Sequence, residues 1–248
     1  MTKSSVSEDT CRTVRLLSAL GRSVFIPIHI TGHWEWFPSY DKHWIEALKL
    51  FLRFYAFERK GAPQSYRQAA VRALEICEDS LNTDEASQKV WTEFRNLLGN
   101  KRVAPKINPL NSGETHHCDA VAFCKTVAAS EDQNPYLFSL RKIEGNKMWE
   151  AHAALMRIRG VGPKIASLFL RDIALKNNIT DIGLSDRHLL QPIDVWLERT
   201  TSLLIGKNVS KDEAGRQLTC LADEAGCSAP HLNAGSWYFG SKVALRKV

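Results

Sequence analysis

Residues 155–194 read LMRIRGVGPKIASLFLRDIALKNNITDIGLSDRHLLQPID, and the fold turns on how this stretch winds. Its first residues carry a helical apolar pattern that ends at Arg159, and Gly160-Val161-Gly162 then supplies a tight turn. Glycines there permit backbone angles closed to other residues and let the chain approach another surface closely. Pro163 follows where a new helix should begin, a place at which its fixed φ and missing N–H do no harm. From Lys164 the apolar residues Ile165, Leu168, Phe169 and Ile173 recur at helical spacing. The reading is helix, glycine turn, helix. The second helix's first amides lack internal partners and lie at the positive end of its dipole, which suits them to grip a phosphate. A plain αα-hairpin in a helical core carries the same pattern.

Outward from this stretch helices dominate. Helical patterns run over residues 12–20, stopped by Gly21, and over 41–59, ended by Gly61 and Pro63. Residues 64–80 are amphipathic, and Thr83 is read as the cap of a further helix to about 98, with Asp84 and Glu85 in its first turn. Others are read over 114–129, 135–143 and 147–159. After Asp194 come helices to 205, over 211–226 and within 229–248. The one β-rich stretch is SVFIPIHI, residues 23–30; Pro27 and the following TGHWEWFPSY make it an extended loop or edge strand. Residues 1–10 are read as a polar, disordered tail, and 99–113, with two prolines and no period, read as a linker or surface loop. The fold class is all-α, in an N-terminal helical region over 11–110 and a second over 111–248.

The composition is that of a globular protein, 44% hydrophobic and 24% charged over 248 residues. A net charge of +6 suits a polyanionic partner, although many basic proteins have no nucleic-acid role. No apolar run approaches a membrane span and MTKSSVSEDTCR has no signal-peptide core, so a cytoplasmic protein without membrane contact is expected. Cys11, Cys77, Cys118, Cys124, Cys220 and Cys227 form no C-x₂-C pair and read as reduced thiols. His116-His117 beside Cys118 lacks a second spaced pair and reads as an exposed turn; no metal site is expected.

Downstream of the turn, Gln191-Pro192-Ile193-Asp194 opens another apolar-striped helix. Gly160-Val161-Gly162-Pro163-Lys164 followed by Pro192-Ile193-Asp194 resembles the HhH-GPD superfamily of base-excision DNA glycosylases, mainly from about residue 135 onward. AGSWYFGSK, residues 234–242, is similar to that superfamily's last helix. The resemblance implies two helical subdomains with a helix-hairpin-helix over 155–175 at the cleft between them, and a helix over 191–205 that presents the catalytic aspartate. It implies a monomer acting on double-stranded DNA and a monovalent cation at the hairpin. The iron–sulfur cluster of some relatives needs four cysteines near the C-terminus, where only Cys220 and Cys227 lie, so no cofactor is expected. The lysine-to-aspartate spacing is longer than in most relatives, which makes residues 176–190 an insertion shared with an archaeal 8-oxoguanine glycosylase branch.

By the same resemblance Lys164 is the amine that attacks the sugar C1′, and Asp194 the carboxylate that steadies the charge developing there. The alternatives stay open: Lys164 as a phosphate contact, Asp194 as a helix cap, and Asp186 in place of Asp194. Asp172 reads as a surface or capping residue. Gly160, Val161, Gly162, Lys164 and Arg159 are the expected DNA contacts, with Arg157, Lys101, Arg102 and Lys106 as helpers. A base taken out of the duplex needs a pocket with aromatic walls. His33-Trp34-Glu35-Trp36-Phe37, followed by Tyr40, is the richest candidate stretch, and Trp34, Trp36, Phe37 and Trp237 are the rings singled out, with core packing as their alternative role. The expected activity is excision of a damaged base, an oxidised purine first, with lyase chemistry through Lys164. Monofunctional excision of another modified base, including those of viral DNA, and DNA holding without catalysis are the rivals.

Overall fold

The computed structural model describes residues 6–58, 64–99, 118–131, 133–179, 181 and 183–243, and among them there are helices and no strand. Helix α1, Glu8–Leu20, starts where the Ser7 hydroxyl accepts from the Thr10 amide and Glu8 and Asp9 face the positive end of the dipole. Glu8, Asp9 and Thr10 thus belong to a helix and not to the expected disordered tail, and Gly21 does not stop it. The chain continues through Gly21–Thr31 as a π-helix and into the single turn of α2, Gly32–Trp34. The extended reading of residues 23–30 is thereby corrected. Pro27 would crowd the carbonyl four residues back in an α-helix, and the wider winding relieves this, with the Gly32 N–H reaching the Pro27 carbonyl. What Gly21 supplies is proximity. A Cβ there would lie 2.1 Å from the His231 carbonyl oxygen, and one at Gly235 would lie 1.8 Å from that of Leu17.

Helix α3, Trp44–Phe51, runs into a π turn at Leu52–Ala56, and α4, Gln64–Ile76, and α5, Ala86–Leu98, follow. Thr83 is not the cap of α5, which begins after Glu85 without a side-chain cap; the Thr83 hydroxyl instead donates to the Ser80 carbonyl. Past Gly99 the expected linker lies outside the described residues, as do Lys101, Arg102, Lys106, His116 and His117. Helix α6 is Asp119–Thr126, and α7, Pro135–Glu144, is capped by the Asn134 side chain, which accepts from the Tyr136 and Leu137 amides. Helices α8, Met148–Leu155, and α9, Pro163–Lys176, flank the glycine turn. The chain ends in α10, Val195–Ile205, α11, Lys211–Ala225, and α12, Ala229–Tyr238, which a π turn at Phe239–Val243 extends.

Two apolar clusters hold these helices. The larger gathers rings and aliphatics such as Phe51, Phe94, Ile165, Phe169 and Ile173, from the first π-helix through α9. Each such side chain contributes about 1.5–3 kcal/mol by leaving water. The smaller joins Cys11, Val14 and Leu17 of α1 to Leu197, Leu218, Leu221 and Leu232 of α10 to α12. The start of the chain thus packs with its end, and the middle forms the other cluster. Trp237 touches both, and so lies at the seam between them. No helix among the described residues is long and apolar enough to cross a membrane.

Candidate active site

The turn after α8 is built by short backbone bonds, Ile158 N to Leu155 O at 3.1 Å and Val161 N to Ile158 O at 2.9 Å. Ile158 and Val161 are buried and anchor it, and the Arg159 amide donates to Asp119 Oδ2 at 3.1 Å. Gly160 has φ +82°, a left-handed angle that a side chain resists. Gly162 has an ordinary extended φ of −98°, and a Cβ there would meet no atom within 4 Å. The fold requires glycine at the first of these positions and not at the second.

Pro163 sets the first turn of α9 and places Lys164 beside it. The Lys164 side chain is 43% exposed, and its Nζ lies 3.7 Å from Asp194 Oδ2, although thirty residues separate the two in sequence. Asp194 is the N-cap of α10. Its Oδ1 accepts from the Trp196 and Leu197 amides at 3.0 and 3.1 Å, and its Oδ2 accepts from Trp237 Nε1 at 3.0 Å. One oxygen therefore fixes the carboxylate while the other faces the amine. The rival, Asp186, stands in a left-handed conformation (φ 55°) ahead of the Arg187–Leu190 turn and borders neither cavity described below.

Lys164 stands at one edge of a cleft of about 120 Å³, comparable with the roughly 150 Å³ cavities that take up one benzene-sized ring. Rings form much of its wall, and Glu58, Leu168, Arg171, Asp172 and Pro192 also line it. His33 stacks on Phe54, centroids 4.1 Å apart and planes within 6°, while His29 and Phe25 meet Trp237 edge-on at 5.8 and 5.9 Å. Burial, with the charges of Lys242 and Arg171, lowers the His29 pKa. Burial, with His29 and Arg67 nearby, lowers that of His33 to about 4. Both rings are thus neutral near pH 7.

Beneath the rings runs a buried polar chain. Trp34 Nε1 donates to the Tyr55 hydroxyl at 2.8 Å, which donates to Asp172 Oδ2 at 3.1 Å. Arg171 binds Asp172 Oδ1 through Nε at 2.8 Å and Asn233 Oδ1 through Nη1 at 2.9 Å, with its guanidinium 4.8 Å over Phe25. Asp172 is accordingly not a surface or capping residue: it is 5% exposed and paired with Arg171 inside the core. Burial raises its pKa against the opposing pull of Arg171 and Tyr55.

Of the four rings singled out in the sequence, Trp237 lines the cleft. Trp34 is a core residue 1% exposed, Phe37 is buried in the same core, and Trp36 stands 65% exposed with the Arg53 guanidinium 5.6 Å from its ring. These three are not cleft walls. His33, which opens the stretch singled out in the sequence, is a wall; the walls that the sequence reading missed, Phe25 and His29, precede it at four-residue spacing. That helical signal was hidden by reading the segment around Pro27 as extended. Among the described residues no group of three or more His, Cys, Asp or Glu side chains is placed to hold a metal ion.

No protein-family model matches the chain, and no solved structure matches it significantly. Among curated proteins it is similar to an uncharacterized protein of Methanocaldococcus jannaschii, 27% identical over 216 residues. That match covers 79% of this chain and 49% of the relative, so it reaches about half of the relative's length.

Proposed function

We propose that the chain is a DNA N-glycosylase of the HhH-GPD type, with Lys164 as the attacking amine and Asp194 as its carboxylate partner. The observation that carries this reading is the meeting of Lys164 and Asp194 at 3.7 Å, with Lys164 on the edge of a ring-lined cleft. In this reading a base turned out of the duplex enters the cleft, between Trp237 and the His33–Phe54 stack, and its sugar C1′ comes to rest at Lys164. The unprotonated amine forms a bond to C1′ as the N-glycosidic bond breaks. The base leaves with the bonding pair and takes up a proton. Asp194 Oδ2 steadies the positive charge on the sugar and accepts the proton that the lysine loses. The resulting imine makes the strand labile to elimination. Oxidised purine is the first substrate class, and a modified base of viral DNA is the second.

Borohydride trapping on duplexes that each carry one modified base tests this. The wild type should form a covalent adduct and release the base; Lys164→Gln should form none, and Asp194→Asn should lose base release while keeping DNA affinity. Base release without an adduct would take Lys164 out of the chemistry and leave water as the nucleophile. A second reading, DNA holding without catalysis, draws on the cap that Asp194 provides for α10, a duty complete in itself. It requires that no duplex of the panel lose a base.

A further inference from the structure

Lys164 borders a second cavity, a groove of about 590 Å³ between the start of α9, the residues around His188 and the first turns of α11. It is the one described residue that lines both this groove and the ring-lined cleft. We propose that the groove holds a backbone phosphodiester of the DNA strand, gripped by Lys211 and Arg216 with Ser167, His188 and Gln191. The inference rests on the DNA reading above, though not on its covalent chemistry.

Four observations support it. Lys211 and Arg216 are exposed on the groove and form no ion pair among the described residues. Gln191, a groove residue, is 3% exposed, yet neither its amide nitrogen nor its amide oxygen has a partner. Of the two, the amide nitrogen is a buried donor that calls for an acceptor, which a phosphate oxygen can supply. The first turn of α11, fifteen residues long, forms one wall and adds the positive end of its dipole. Of the two carboxylates on the groove, Asp194 is held by the α10 amides and Trp237, and Asp212 is exposed in that first turn. Gly215 keeps the wall close: a Cβ there would stand 3.4 Å from Gln191 Cβ. A nucleotide whose sugar rests at Lys164 needs room for a base in one direction and a phosphodiester in another. The two cavities that meet at this lysine provide both.

The test is the salt dependence of binding to a labelled duplex with one tetrahydrofuran abasic analogue, which has no base to release. Lys211→Gln and Arg216→Gln should each lower the slope of log Kd against log salt by about one. Gln191→Leu should weaken binding with the slope unchanged. A Lys211→Gln/Arg216→Gln protein that melts like the wild type and keeps its full slope overturns the proposal. So does inorganic phosphate binding that this double variant loses while the DNA slope stays the same, since the groove would then serve a free anion. Trapping on lesion DNA with no change of slope removes the groove alone; a changed slope with no base release or adduct on any duplex removes the glycosylase reading alone.

Discussion

Asp194 divides its work between two oxygens, and the division can be measured. Oδ1 caps α10 through two amides, while Oδ2 faces Lys164 and Trp237. Asparagine caps a helix about as well as aspartate, whereas alanine in place of either costs about 1 kcal/mol. Asp194→Asn should therefore keep the cap but lose both contacts of Oδ2, the half-exposed lysine pair at about 0–1 kcal/mol and the Trp237 hydrogen bond at about 1 kcal/mol, and so unfold in urea somewhat below the wild type. Asp194→Ala should lose about 1 kcal/mol more, and both should fail to release base. Equal destabilisation by the two substitutions would show that the cap is not what holds the carboxylate. Lys164 and Asp194 were legible in the sequence because each is marked locally, one by a glycine turn with Pro163, the other by Pro192 ahead of a helix. Asp172 was not. Its helical spacing and its neighbour Arg171 are plain, but its burial beside Tyr55, which donates to it from 117 residues away in sequence, has no local mark.

At the level of helices, glycine has three different reasons to be present, and substitution separates them. Gly235 and Gly21 let α12 cross the first helix with backbones almost touching, and a methyl at either would fall inside 2.2 Å of a carbonyl oxygen. Backbone cannot yield as a flexible side chain does, so Gly235→Ala should cost at least the 1–3 kcal/mol typical of overpacking, read as a lower urea midpoint. Gly160 answers to its positive φ. Gly162 answers to neither constraint, having an ordinary φ and open space where a Cβ would go. Gly162→Ala should leave the urea midpoint within about 0.5 kcal/mol of the wild type. Under the DNA reading it should still weaken duplex binding, because that open space is where a strand would come close. Unchanged affinity would count against contact at the turn. Most helices could be placed from the sequence, for example α7 behind Asn134-Pro135 and α10 behind Asp194, since caps and prolines are local signals. The Gly21–Thr31 segment could not. Its β-branched residues and Pro27 speak against a helix locally, and packing against α12 and α9 overrides them.

For the molecule as a whole, the two apolar clusters do not follow chain order: α1 is buried with α11 and α12, so folding must bring the two ends together around the middle. An all-helical chain is visible in the sequence period, but this interleaving is not, because period tells which face is buried and not against what. It also encloses imidazoles. His29, His33, His152, His188 and His231 all have lowered pKa values, with burial as the leading cause in each. The unfolded chain binds protons at these rings from about pH 6.5 downward, while the folded chain resists, in His33 down to about 4. The unfolded state holds more protons in that window, so stability is full above pH 6.5 and falls as the pH drops toward 4. Asp172, with its raised pKa, acts in the opposite sense in the carboxylate range. Five histidines against one carboxyl decide the sign. The urea midpoint should decline steadily from about pH 7 to about pH 5, and the decline should be shallower in His33→Phe, which keeps a ring against Phe54 and removes one titrating group. A midpoint that holds constant or rises on acidification would mean that these rings are not neutral in the folded protein. The polarity of the cleft around His29 and His33 would then need a different account.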